Sequence, residues 1–356
     1  MAVYALAFIA YALDLARRSA AAGTATTTAA TAGTASERRE RALAGRASAA
    51  TAAGAGDAAA PSVGSAASTG VAASTGAAAS TPTAASTDSD VPAGSAASVA
   101  YGRSPSLRVA VALTVIGWAL HLAATVLRGI AAERVPWANM YEFAMTGTLV
   151  IVTVYLGVLL FSKFDLRFLG TFVVGLVLVL LGLASVNFYV SVVPLPPALQ
   201  SAWLVIHVFV ATTGVGFFAL GFALSVVQLM QSRREALLET ATSVKRSFLA
   251  TLPDADQLER LAYRVNIIGF ILWTFTLMAG AIWAEAAWGR YWGWDTKEVW
   301  TFIIWVVYAG YIHARATRGW RGSRSAWLAI IGFSAVLFNF TVVNLFFKGL
   351  HAYSGL

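Results

Sequence analysis

The sequence predicts an all-α polytopic membrane protein: about eight transmembrane helices with an external Trp-rich loop. Three observations carry this. Hydrophobic residues make up 58% of the 356 and charged residues only 12%, about half the charged share of a soluble domain. Seven apolar runs, most of them long enough to cross a bilayer, follow residue 105, and a shorter one precedes it. The Arg and Lys residues gather on alternate connections, as they do in loops kept on the cytoplasmic side. The net charge of +8 is therefore a topology signal, and no nucleic-acid partner is expected.

The elements follow in order. "AVYALAFIAYALDLARR" is apolar until Asp14 and ends in Arg17 and Arg18. A cleaved signal would carry its charge before the apolar core, so residues 1–18 read as a short first span with the N-terminus outside. Residues 19–104 are low-complexity Ala, Ser, Thr and Gly. They lack the large apolar side chains that offset the entropy of ordering a chain, and are expected to form a disordered cytoplasmic loop. Residues 105–356 form a seven-helix membrane domain. Its runs are Val109–Leu127, Tyr141–Phe161, Phe168–Val193, Trp203–Met230, Val265–Ala284, Val299–Ala314 and Ala326–Phe347. Val299–Ala314 is short and must borrow its flanks. The basic connections "GRSPSLR", "SKFDLR", "SRREALLETATSVKR" and "HARATRGWRGSRS" share the cytoplasmic side. That leaves the Trp-rich loop, residues 285–300, and the C-terminus outside, in a plasma-membrane protein crossing many times.

The loop holds "WGRYWGWDTKEVW" at residues 288–300. Trp283, Trp300 and Trp305 suit an ordinary aromatic belt at a membrane interface. A belt does not call for the compact "WGRYWGWD", in which Gly289 and Gly293 let the backbone turn while Trp288, Trp292 and Trp294 offer flat apolar faces. Two readings stay open for Asp295 and Glu298, as caps of the helix beginning near Trp300 or as ligand contacts. Arg290 and Lys297 are either snorkelling cations or partners for anionic groups of a ligand.

The chain has no cysteine and four histidines, His121, His207, His313 and His351. No thiol nucleophile or thiolate metal site can come from it. Ionisable residues at membrane depth are functional candidates, although any single histidine can be a packing residue. His207 and His351 fall near the external side, flanking the Trp loop. His313 lies toward the cytoplasmic end of Val299–Ala314, and His121 near the middle of its run, where packing is the favoured role. Two histidines beside an aromatic platform suit a flat iron macrocycle with two axial nitrogens. Zinc suits the pattern less well, because the carboxylates lack ligand spacing.

"WGRYWGWDTKEVW", with "VPWANMYEF", "LPPALQSAWLVIHV", "YIHAR" and "NLFFKGLHAYSGL", resembles the WWD signature of haem-handling proteins. The closest resemblance is to the CcsA/ResC family (also called CcsB) of system II cytochrome c maturation. It covers about residues 105–356. It implies transport of haem b outward and its presentation to an apocytochrome c carrying Cys-x-x-Cys-His. His207 and His351 would then be external axial ligands, acting in catalysis, and His313 a ligand for haem in transit. Trp288, Trp292, Trp294, Asp295 and Arg290 would line the haem site. A ResB-type membrane partner would supply the second ligand within the membrane, and thioredoxin-like proteins would act indirectly by keeping thiols reduced. Thr296 stands where the family commonly has Pro, and the 19–104 insert is atypical. Two other functions fit the residues: a haem transporter or chaperone feeding a separate lyase, and a polytopic transporter with a plain aromatic belt.

Overall fold

The computed structural model describes residues 1–20, 104–192, 199–240, 247–317, 319–347 and 349–351. The stretch expected to be a disordered loop lies almost wholly outside them. The described residues are helical with short connections and contain no strand. Helix α1 spans 2–20. There follow α2 (Pro105–Ala132), α3 (Met140–Phe161), α4 (Gly170–Asn187), α5 (Ala202–Thr240), α6 (Ala255–Trp288), α7 (Thr296–Thr317) and α8 (Ser323–Phe338). Helix α8 passes through a π-helical turn, Asn339–Val343, into a last turn at Asn344–Phe346.

Six of these segments are long and apolar enough to cross a membrane, so this is a multi-pass membrane protein. They are α2, α3, α4 with its leading turn, α5, α6 and α8 with its π turn. Helices α1 and α7 are the other two of the expected eight. Both are helical, but α1 carries Asp14, Arg17 and Arg18, and α7 carries Lys297, Glu298, His313 and Arg315. In α1 the charge is internally answered: Asp14 is buried and pairs with Arg18 and the Ser104 hydroxyl.

Several helices outrun their apolar stretches. α5 continues to Thr240, and α6 begins at Ala255, where Asp254 caps it by accepting from the Gln257 N–H. The α4 helix, by contrast, stops at Asn187, short of the apolar residues up to Val193. Helix α5 is the centre of the bundle, packing on α3, α6 and α8. Its Phe218 stacks on Tyr308 of α7 with ring centroids 3.7 Å apart, and Phe222 stacks on Phe333 of α8. At one end of the bundle, Glu259 of α6 accepts from Arg315 of α7 at 2.9 Å and from the Gly322 N–H at 2.7 Å, tying three helices together.

At the other end a second buried carboxylate organises the connection before α3. Glu142 is fully buried and takes hydrogen bonds from Arg128 (3.0 Å), Arg134 (2.7 Å) and the Ala138 N–H (3.0 Å). Arg128 also donates to the Val190 carbonyl at 2.9 Å, joining this loop to the segment after α4. A buried charge is tolerated when it is paired and hydrogen-bonded. Here that pairing holds Trp137 and Asn139 where they wall the site described next.

Candidate functional site

The start of α5, the ends of α6 and α8 and the start of α7 meet at one end of the bundle. Seven residues join α6 to α7. Trp288, expected in the loop, is the last helical residue of α6, and Gly289 closes that helix in the left-handed conformation. Glu298, in the first turn of α7, accepts from the N–H groups of both Gly293 (2.8 Å) and Asp295 (3.1 Å). Between them Trp294 takes a positive φ of 59°, uncommon for a bulky residue. That curl turns both N–H groups toward one carboxylate, so Glu298 has the capping role considered for it.

Asp295 does more than cap. Its carboxylate accepts from the Leu350 N–H at 3.1 Å and from Nδ1 of His351 at 2.7 Å, drawing the chain's last described segment onto the loop. The hydrogen bond from His351 holds the Asp295 carboxyl below its usual range.

His207 is fixed in a parallel way. Its Nδ1 lies 3.0 Å from the backbone carbonyl of Thr276. A carbonyl can only accept, so Nδ1 carries the proton. The ring fits because residue 280 is glycine: a Cβ there would lie 2.8 Å from Cε1 of His207. In both histidines, therefore, Nδ1–H is committed to an oxygen, and Nε2 is the nitrogen left over for a ligand. Imidazoles that bind metals are oriented by this kind of second hydrogen bond.

An indole brings the two rings to one place. Trp283, buried, stacks beside His207 with centroids 5.9 Å apart and meets His351 edge-on at 5.4 Å. Trp288 meets His351 at 4.7 Å. Two cavities of about 100 Å³ and about 80 Å³ share His207, Lys297 and His351 as common wall. Trp137, Asn139 and Asn344 belong to the first, and Trp292 and Glu298 to the second. Each is smaller than the roughly 300 Å³ at which sites for small organic ligands begin. A flat ligand between the histidines needs the two merged, by displacement of the side chains that part them. Lys297 is held by Asn344, which the π turn of α8 delivers, and Asn344 also contacts the Met140 sulfur. Among the described residues no group of three or more His, Asp or Glu converges as a metal cage would require. The site thus presents two imidazoles, indole walls and one cation.

The other candidates fall elsewhere. Trp294 is 77% exposed, touches Trp292 edge-on and lines neither cavity. Arg290 is exposed and lies over Gly293, again outside the cavities. His313 is exposed on α7, away from His207 and His351. His121 is buried in α2, with the Tyr4 hydroxyl 3.4 Å from Nδ1 and no hydrogen-bond partner at Nε2.

Known proteins similar to this chain agree with the pattern. A family model for cytochrome C assembly proteins matches residues 137–351, more than half of the chain and the whole of the site. A cytochrome c biogenesis protein CcsA of Prochlorococcus marinus is 40% identical over 177 residues, 45% of this chain and 56% of its own length. The CcsA protein of Guillardia theta is 34% identical over 244 residues, 64% of this chain and 80% of its own. That of Trieres chinensis is 33% identical over 254 residues, 64% and 81% respectively. The match to the Prochlorococcus protein thus spans little more than half of that relative.

Proposed function

From a chain that belongs to the cytochrome c assembly family, in its CcsA/ResC branch, we propose a haem-presenting component of cytochrome c maturation. His207 and His351 grip the iron of haem b through their Nε2 atoms, and the chain holds the haem out for covalent attachment to an apocytochrome c. The observation that carries this reading is the shared commitment of both Nδ1–H groups, to the Thr276 carbonyl and to Asp295. It fixes the tautomer that leaves two ligating nitrogens on one pair of cavities.

The attachment adds a thiol across each haem vinyl group. The S–H bond and the C=C π bond break. Sulfur joins the inner vinyl carbon, and the proton ends on the terminal one, so no oxidant is consumed. This chain has no cysteine and supplies no nucleophile. Its contribution is orientation: the imidazoles and the indoles of Trp283 and Trp292 hold the vinyl edge toward the incoming thiols, Trp288 packs against His351, and Lys297 meets a haem carboxylate. The apocytochrome histidine then displaces one imidazole, which frees the product. The site faces outward from the plasma membrane. In this reading His313, exposed on α7, ligates haem in transit together with a membrane partner of the ResB type.

The test is co-expression of this chain and a ResB-type partner in a host lacking its own maturation pathway, with a Cys-x-x-Cys-His cytochrome as reporter. Covalent holocytochrome that depends on His207 and His351 supports the reading. Haem-loaded protein with no covalent product would instead favour a transporter or chaperone serving a separate lyase, a reading that the exposed His313 also fits.

A further inference from the structure

An open cavity lies at the end of the bundle remote from the histidine pair, between α2 and α3. Its volume is about 580 Å³. Val111 and Val115 of α2 form one wall, and Leu156 and Leu159 of α3 the other. Val115 is 44% exposed and the adjoining Leu160 77%, so the groove opens toward the surroundings of the helices rather than into the core.

Its rim is charged. Where α3 ends, the chain turns through Ser162, Lys163, Asp165 and Arg167, all of which border the cavity. Asp165 pairs with Arg167, with Nε to Oδ1 at 2.8 Å. Lys163 is exposed. Arg108, also exposed, sits one turn before Val111 on the same face of α2. Lys163 and Arg167 therefore border an apolar trough with one carboxylate, which Arg167 answers, so the rim keeps one net positive charge, at Lys163. The Ser162 hydroxyl oxygen accepts from the Phe164 N–H at 3.0 Å and keeps its own proton to donate.

We infer that this groove binds one phospholipid with a net negative headgroup. One acyl chain lies along Val111, Val115, Leu156 and Leu159, and the phosphate sits on Lys163 with Arg167 and Arg108 beside it. The charge pattern selects this occupant. An anionic lipid meets the positive charge of Lys163 and fills the apolar trough at once, whereas a packed apolar helix would fill only the trough. A bound lipid would brace α2 against α3 far from the histidine site, so the inference does not depend on the chain's role with haem.

The test uses the full chain in nanodiscs of mixed phosphatidylglycerol and phosphatidylcholine, released for native mass spectrometry. Wild type is expected to retain one phosphatidylglycerol at least tenfold over phosphatidylcholine. Lys163→Glu reverses a rim charge on an exposed side chain, and Val115→Trp fills the trough while keeping every charge. Each is expected to cut that retention about tenfold. Equal retention of the two lipids by wild type, or unchanged retention in either variant, overturns the inference. A photoreactive side chain at position 115 that crosslinks to polypeptide instead of lipid in native membranes does so too.

Discussion

His207 and His121 both sit among packed helices, yet they are built for different ends. His207 has Nδ1–H on a carbonyl at 3.0 Å, a glycine opposite its ring and two cavities at its side. His121 is buried between a long contact to Tyr4 and the backbone of Met145, and borders none of those cavities. Access separates the two, since only His207, half-buried, has open space at its ring. The hydrogen bond at Nδ1 then decides which nitrogen of His207 is left for a metal. His351 falls on the His207 side of this divide despite lying in a chain segment that is no longer helical, since Asp295 supplies the same service.

The strongest way to break that comparison is to remove the rings one at a time. His207→Ala and His351→Ala are each expected to abolish the Soret band of haem co-purifying with the outer site, and to reduce holocytochrome c at least tenfold. Added imidazole should restore part of both. His121→Ala should keep the Soret band and change stability by no more than about 3 kcal/mol. Haem loss from His121→Ala as complete as from the other two would erase the distinction.

The comparison also shows what a sequence can carry. Composition, run lengths and charge placement made the membrane fold legible, because lipid imposes those features directly. His207, His351 and the Trp loop stood out as rare residue types in an apolar chain. The Asp295–His351 bond did not, because it spans residues 56 apart that no local period links. Nor did the roles of Thr276 and Gly280: a backbone carbonyl and a missing Cβ leave no chemical mark in the sequence. Trp283 looked like a belt residue, whereas Trp294 looked like a wall. Trp283 lines a cavity and Trp294 is exposed beside a left-handed turn, positions that depend on contacts no local pattern encodes. Helix ends are not legible in the apolar runs either. Hydropathy marks where a helix meets lipid, not where its hydrogen bonds stop, so α5 and α6 each run about ten residues past their apolar runs.

A second test acts on the hydrogen bond rather than the ring. Asp295→Ala frees His351 to rotate and change tautomer, and is expected to weaken haem retention about 10–100-fold. Asp295→Asn keeps an acceptor oxygen and should cost less.

Gly280→Ala tests the His207 side alone. The new methyl would lie 2.8 Å from Cε1 of His207, closer than real side chains pack, so the ring must turn away from the Thr276 carbonyl. Alanine is a better helix former than glycine by about 1 kcal/mol, so thermal stability should hold or rise while haem retention falls. Joint loss of stability and haem would instead make residue 280 a packing position with no particular tie to ligation.

The smallest effect is expected at Trp294. Its indole is exposed and outside both cavities, so Trp294→Phe should leave the haem spectrum and retention unchanged. Trp294→Gly goes further, because glycine takes a positive φ without the steric cost that a Cβ brings. Thermal stability should then rise slightly, with the Glu298 cap intact. Trp288→Ala is the paired control, since Trp288 lies 4.7 Å from His351 and its loss should loosen that ring. If Trp294→Phe lost as much haem as Trp288→Ala, the ligand would have to reach past Trp292, the indole of the nearer cavity. The boundary of the site would then have to be redrawn to include the outer turn of the loop.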